Sequence, residues 1–163
     1  MEFLDSVNEN DEITGRASKK EIYEKQLLHR IVHVLVFNDK GEMALQLRSK
    51  CTSFCPLHWC TSAGGHAQSG ESYEKAALRE LKEEIGTMAK IDFAHKDLYT
   101  VTGNFRKFLA TFRTVFNGSF KINPVEVEKV EFFSLDKIQK MIKDREKFHP
   151  ELLFLLRKHF NMK

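Results

Sequence analysis

The stretch GHAQSGESYEKAALRELKEEIG, Gly65 to Gly86, decides how the rest of the chain is read. From Ser72 to Ile85 the apolar residues Ala77, Leu78, Leu81 and Ile85 recur at helical spacing and predict one buried face. Glu71 and Glu74 stand where the positive end of the helix dipole favours acid, and Gly86 supplies a stop. Glu80, Glu83 and Glu84 then fall within about 100° of arc, because residues three and four apart share a face. Three like charges this close repel one another unless a cation lies between them, and hard oxygen ligands suit Mg²⁺ or Mn²⁺. Arg79 precedes the set and lies at i, i+4 from Glu83, where it can orient that carboxylate. Glu84 borders the apolar face beside Ala77, so at least one carboxylate is expected to be sheltered. Gly64-Gly65, read as a turn, leaves backbone carbonyls and amides free for a metal or a phosphate.

Outward from this helix the chain reads as an α/β protein with a mixed sheet covered on both faces. Ile31 to Phe37 is apolar or β-branched and predicts a strand buried on both sides. Asn38-Asp39-Lys40-Gly41 is a turn, and Glu42 to Arg48 alternates as the strand paired with it. A loop around Pro56 leads to a short strand at Trp59 to Ser62. Beyond the helix, Asp97–Thr102, Lys107–Phe116 and Val127–Phe133 read as strands. Ser134 caps a helix from Leu135 to about Lys147, and Pro150 opens a terminal helix carrying Leu152, Leu153, Leu155, Leu156 and Phe160. Residues 1–12 are expected to form a loose N-terminal arm, with residues 13–163 as one domain.

The bulk numbers agree with that plan. Of 163 residues, 42% are hydrophobic and 30% charged, the balance of an ordinary soluble domain with one core. No run is apolar enough to span a bilayer, and the acidic start does not resemble a leader, so a cytoplasmic protein is expected. A net charge of +3 suits an anionic small molecule and is too weak for nucleic acid, there being no basic block or stripe. Oligomeric state is not legible. Cys51, Cys55 and Cys60 are an odd set and are expected as free thiols. With His58 they raise a zinc site, but Cys-x3-Cys-x2-His-x-Cys matches no common zinc spacing; packing of small residues explains them better.

Gly65, Glu71 and the run Arg79-Glu80-Leu81-Lys82-Glu83-Glu84-Ile85-Gly86 resemble the catalytic box of the Nudix hydrolases. Thr87, where that family usually has an aliphatic residue, is the one departure. The resemblance implies a Nudix α-β-α sandwich and Mg²⁺-dependent hydrolysis of a nucleoside diphosphate linked to another moiety, with Mn²⁺ able to substitute. It implies that Glu80, Glu83 and Glu84 hold metal together with the Gly65 carbonyl. Arg79 would orient the glutamates and Glu71 would brace the loop. One of the three helix glutamates, or a carboxylate outside the box, would activate the attacking water. Catalytic roles thus fall on Glu83, Glu80 and Arg79.

The similarity extends over roughly residues 12–135. His29-Arg30, Gln46-Leu47-Arg48-Ser49, Trp59, Gly65-His66 and Gly70-Glu71-Ser72 resemble the isopentenyl-diphosphate-isomerase-like branch. True isomerases need a cysteine directly before the Gly-His pair; here that residue is Gly64. They also need a glutamate on a later strand, yet no acidic residue lies between Leu98 and Val125. One of their metal histidines corresponds to His29 and another to Ile22. Isomerisation is therefore the weaker alternative, as is a non-catalytic nucleotide- or RNA-binding module. The expected substrate is a nucleoside di- or triphosphate. Arg48, His66 and Arg106 are candidate substrate contacts, with Lys107 and Arg113 grouped beside Arg106. Glu126 is the best carboxylate outside the box, read chiefly as a loop support.

Overall fold

The computed structural model describes residues 1–163. Its strands are β1 (Phe3–Val7), β2 (Ile13–Ser18), β3 (His29–Phe37), β4 (Met43–Arg48), β5 (Trp59–Cys60), β6 (Ala63–His66), β7 (Asp92–Thr102), β8 (Phe105–Val115) and β9 (Val127–Phe133). Its helices are α1 (Lys19–Glu24), α2 (Tyr73–Ile85), α3 (Leu135–Lys143) and α4 (Pro150–Phe160). Seven strands form a mixed sheet, with β1 and β2 as a separate antiparallel hairpin.

Strand β3 is the axis of the sheet. It runs parallel to β8 along its whole length, from His29↔Lys107 to Phe37↔Val115, and antiparallel to β6 on its other side. Because side chains alternate along a strand, β3 serves two cores. Val32, Val34 and Val36 pack with Ala76, Ala77, Leu81 and Ile85 of α2. Leu35 and Phe37 pack toward Ile138 and Met141 of α3 and toward Leu152 and Leu156 of α4. The result is the expected α-β-α sandwich.

The structure corrects several expectations. Residues 1–12 are not a loose arm, because β1 pairs with β2 and buries Leu4. Strand β4 meets β3 only at Phe37↔Met43, next to the turn, and then pairs with β9 and β5. Both edges of β3 are taken by β6 and β8, so β4 must splay away. Gly64 and Gly65 lie within β6, not in a turn. Leu78 is exposed, and the face assigned to it is occupied by Glu80 and Glu84 beside Ala76 and Ala77. Helix α3 ends at Lys143.

Candidate active site

Helix α2 starts where Ser72 Oγ accepts from Lys75 N, and it ends at Gly86, whose φ of 66° is the left-handed cap that glycine adopts without strain. Its apolar residues anchor it to β3, which aims Glu80 and Glu84 toward β6 and leaves Glu83 at the outer edge.

Arg79 is the hub of the site. Its Nε and Nη2 donate to the two oxygens of Glu71, at 2.8 and 3.0 Å. Nη1 donates to Glu80 Oε1 at 2.7 Å and to Glu83 Oε2 at 3.1 Å, and Nη2 also reaches the His66 carbonyl at 3.0 Å. One planar guanidinium therefore fixes the loop, two of the helix carboxylates and the end of β6 together. Glu71 in turn accepts from Gln68 N at 2.8 Å, which bends the loop 67–71 back on itself. The Arg79 hydrogen bonds hold the Glu71 carboxyl below its usual range.

Glu84 is deeper. Its Oε2 accepts from Gln46 Nε2 at 2.5 Å and from Gly64 N at 3.1 Å, and it has no cationic partner. Burial pushes its carboxyl up to about 8, with the neighbouring Glu80 adding to the rise. Burial also pushes Glu80 up to about 7, while Arg79 pulls it back and Glu83 and Glu126 oppose that. Glu83 is half-exposed at the mouth of the set.

The glycines before the helix allow close approach. A methyl group on Gly65 would fall on the Glu80 carboxylate, 2.7 Å from its Cδ. One on Gly64 would stand 2.6 Å from the Val32 carbonyl oxygen. The donor set fits a divalent cation. Glu80 and Glu83 share one guanidinium with Glu71, and Glu84, the deepest of the helix carboxylates, meets only amide donors, so positive charge is the missing element.

The hairpin, unforeseen from sequence, completes the box loop. Asp5 Oδ1 accepts from Ser69 Oγ at 2.6 Å and Oδ2 accepts from Gly70 N at 2.9 Å, while the Phe3 carbonyl accepts from Ser69 N at 2.8 Å. At the hairpin tip, Asp11 takes Arg30 Nε at 2.7 Å, Lys96 Nζ at 2.7 Å and the Tyr73 hydroxyl at 2.8 Å. The capping-box spacing of Ser18 and Glu21, which opens α1, was the one sequence signal in this region.

The proposed substrate contacts are dispersed. His66 lies at the end of β6, with Nε2 2.8 Å from the Tyr23 hydroxyl and its ring stacked on His29. Arg48 Nε donates to the Phe54 carbonyl at 3.1 Å and forms no ion pair. The structure does not gather Arg106, Lys107 and Arg113. Arg106 makes a two-pronged ion pair with Glu9, Lys107 is buried against Glu151 at 2.9 Å, and Arg113 lies over the Phe37 ring. Their alternation along β8 sends neighbours to opposite faces. Cys51, Cys55 and Cys60 are free thiols, and they do not converge with His58, whose Nδ1 is 2.8 Å from the Pro56 carbonyl.

Comparison with known proteins agrees with this geometry. The chain matches the NUDIX domain family over residues 27–156. It belongs to the Nudix hydrolase family. A Nudix hydrolase of Listeria monocytogenes is 32% identical across the whole chain and 96% of its own length. The structure of a Deinococcus radiodurans protein superposes with a TM-score of 0.84 at 25% identity, covering 96% of this chain and 98% of that one. The NUDIX domain of Shewanella oneidensis NrtR, solved with ADP ribose, shares the fold with a TM-score of 0.65 at 16% identity, covering 89% of this chain and 98% of that one. Nudix hydrolases act on diphosphate linkages and generally use divalent metal ions, so this chain is a hydrolase of that class. No helix is long and apolar enough to cross a membrane.

Proposed function

We propose that this Nudix hydrolase is a Mg²⁺-dependent pyrophosphohydrolase of a small nucleotide, a nucleoside di- or triphosphate or a nucleoside diphosphate bearing another moiety. The observation that carries the reading is the intact glutamate set, in which Glu80 and Glu83 bind the Arg79 guanidinium while Glu84 lies against Gly64 of β6 with no cationic partner. Glu80, Glu83, Glu84 and the Gly65 carbonyl would hold the cation. Bound there, it would neutralise the phosphates and make water a better nucleophile. Arg79 fixes the orientation of Glu80 and Glu83, and Glu71 fixes Arg79. Glu83, the most exposed of the three, is the best placed to take a proton from the attacking water, and Glu126, whose charge acts on both Glu80 and Glu84, is the alternative outside the helix. The three free thiols suit the reducing cytoplasm.

Isomerase chemistry finds no thiol. Gly64 stands at the required position, and burial pushes the Cys60 thiol up to about 12.

The test is a panel of nucleoside di- and triphosphates and ADP-ribose, assayed for product release with Mg²⁺ and with Mn²⁺. Wild type is expected to turn over at least one of them, and Glu83→Gln to lose two or more orders of magnitude with its circular dichroism unchanged. Near-normal turnover by Glu83→Gln at saturating metal would refute the assignment. So would conversion of isopentenyl diphosphate to its isomer in place of hydrolysis.

A further inference from the structure

We propose that His95, Asp97 and His159 form a second cation site, for a divalent transition-metal ion of the zinc class, on the face of the sheet opposite the glutamates. His95 and Asp97 are two residues apart on β7 and so project to one face. The last turn of α4 carries His159 to the same point. Asp97 Oδ2 lies 3.1 Å from His95 Nδ1 and 2.8 Å from His159 Nε2. The two imidazoles are stacked, with centroids 3.4 Å apart and planes 12° from parallel, and the three ligand atoms all lie within 4.8 Å of one another. Atoms bound to one zinc ion at about 2.0–2.2 Å stand about 3–3.5 Å apart, so the donor spacing needs only a small expansion, with one ring turning about χ2 so that both in-plane lone pairs meet at the ion.

The chemistry of the donors selects the ion. Two imidazole nitrogens and one carboxylate oxygen, completed by water as a fourth ligand, would suit Zn²⁺, Co²⁺ or Ni²⁺ and are poor ligands for Mg²⁺. Without metal, each ring nitrogen facing Asp97 can donate its N–H. With metal, both must offer lone pairs, so the ring N–H then sits on the other nitrogen, His95 Nε2 and His159 Nδ1. Both side chains are about a fifth to a quarter exposed, so water can receive those N–H groups. Asp97 binds through Oδ2 alone, leaving Oδ1 to its existing partner Lys158 Nζ at 2.7 Å, as an outer hydrogen bond that orients the carboxylate.

The site is separate from the candidate active site. Asp97 is paired with Leu109, which packs with Ile31 and Leu155 beneath α4, whereas Glu80 and Glu84 lie on α2 across the sheet. An ion here would tie the last turn of α4 to the sheet-edge strand β7.

The experiment is a Co²⁺ titration of the full-length protein at saturating Mg²⁺, followed by visible absorption, with Zn²⁺ competing. We expect one equivalent of Co²⁺ with ligand-field bands and no thiolate charge-transfer band, displaced by Zn²⁺, and abolished in His159→Gln and in His95→Gln. In wild type, Zn²⁺ should change the ring ¹⁵N shifts of His95 and His159 as their tautomers switch. That measurement does not depend on any variant folding. A thiolate band, an unchanged titration in both variants, shifts confined to other histidines, or no stoichiometric binding would each overturn the proposal. None of these readouts depends on hydrolysis, so a failure here leaves the proposed function untouched.

Discussion

Asp5 grips Gly70 from outside the box, its Oδ2 accepting the Gly70 N–H at 2.9 Å while its other oxygen holds the Ser69 hydroxyl. From there a continuous set of bonds runs through Gln68 and Glu71 to Arg79, and so to Glu80 and Glu83. Replacing Asp5 by Ala leaves a loop amide without its charged acceptor, a loss of about 1.5–3 kcal/mol per bond before relaxation. We expect Asp5→Ala to melt about 5–10 °C lower. It should also turn over about tenfold more slowly, with KM changed less than kcat. Equal loss in KM, or full turnover, would show that the hairpin does not position the box.

The second expectation concerns the metal and the helix. A divalent cation that binds only the folded protein stabilises it by RT ln(1 + [L]/Kd), about 2.7 kcal/mol at a hundredfold excess over Kd. Mg²⁺ at such excess should raise Tm by about 5–10 °C. In Glu80→Ala/Glu84→Ala the metal-free protein should be no less stable than wild type, because two carboxylates raised by burial, one of them further raised by the other, are gone. Its Mg²⁺ response should vanish. A full response in the double variant would place Mg²⁺ elsewhere.

Adjacent glycines should fail differently. A methyl group at Gly65 meets the end of the Glu80 side chain, which can move, whereas one at Gly64 meets the backbone oxygen of Val32, which cannot move cheaply. Gly65→Ala should therefore keep most of its stability and lose turnover by tenfold or more. Gly64→Ala should lose several degrees of Tm. Thermal melts and kinetics on both proteins check the contrast, and the reverse ranking would contradict it.

Glu151 sets an acid limit on stability. Burial alone would raise its carboxyl, but hydrogen bonding from His33 at 2.9 Å and the charge of Lys107, with His149 also facing it, hold it well below the usual carboxylate range. A depressed folded pKa stabilises the protein above the unfolded value of about 4.3 and is lost as pH falls below it. Wild-type Tm should drop between about pH 5 and pH 2. Glu151→Gln should be destabilised by about 3–5 kcal/mol at neutral pH, since Lys107 is left buried without its counter-charge. Its Tm should depend less on acid. An unchanged acid limb in that variant would remove Glu151 from the account.

Much of the box was legible because its signals are local. The Gly86 stop, the spacing of Arg79, Glu80, Glu83 and Glu84, and the apolar run of β3 each need only neighbours a few residues away. What was missed depends on distance or on violated patterning. Strand β2 is exposed over most of its length, so it has no alternation to read. Hydrophobicity ranks Leu78 above glutamate for the buried face, but the helix turns Glu80 and Glu84 inward and Leu78 out. Gly64 and Gly65 suggested a turn, whereas their missing side chains make room for Val32 and Glu80. His95 and Asp97 share a strand face, but nothing in the sequence announces His159 as their partner.

The alternation of β3 has a consequence for how the protein can change. Val32, Val34 and Val36 answer to the helix that bears the glutamates, and His33, Leu35 and Phe37 answer to the terminal helices. A substitution at an odd position is therefore felt by one half of the molecule and a substitution at an even position by the other. The terminal half is thus free to drift, or to be redesigned, without retuning the glutamate half. Pairs of changes drawn from opposite sides should combine additively, while pairs on one side should not.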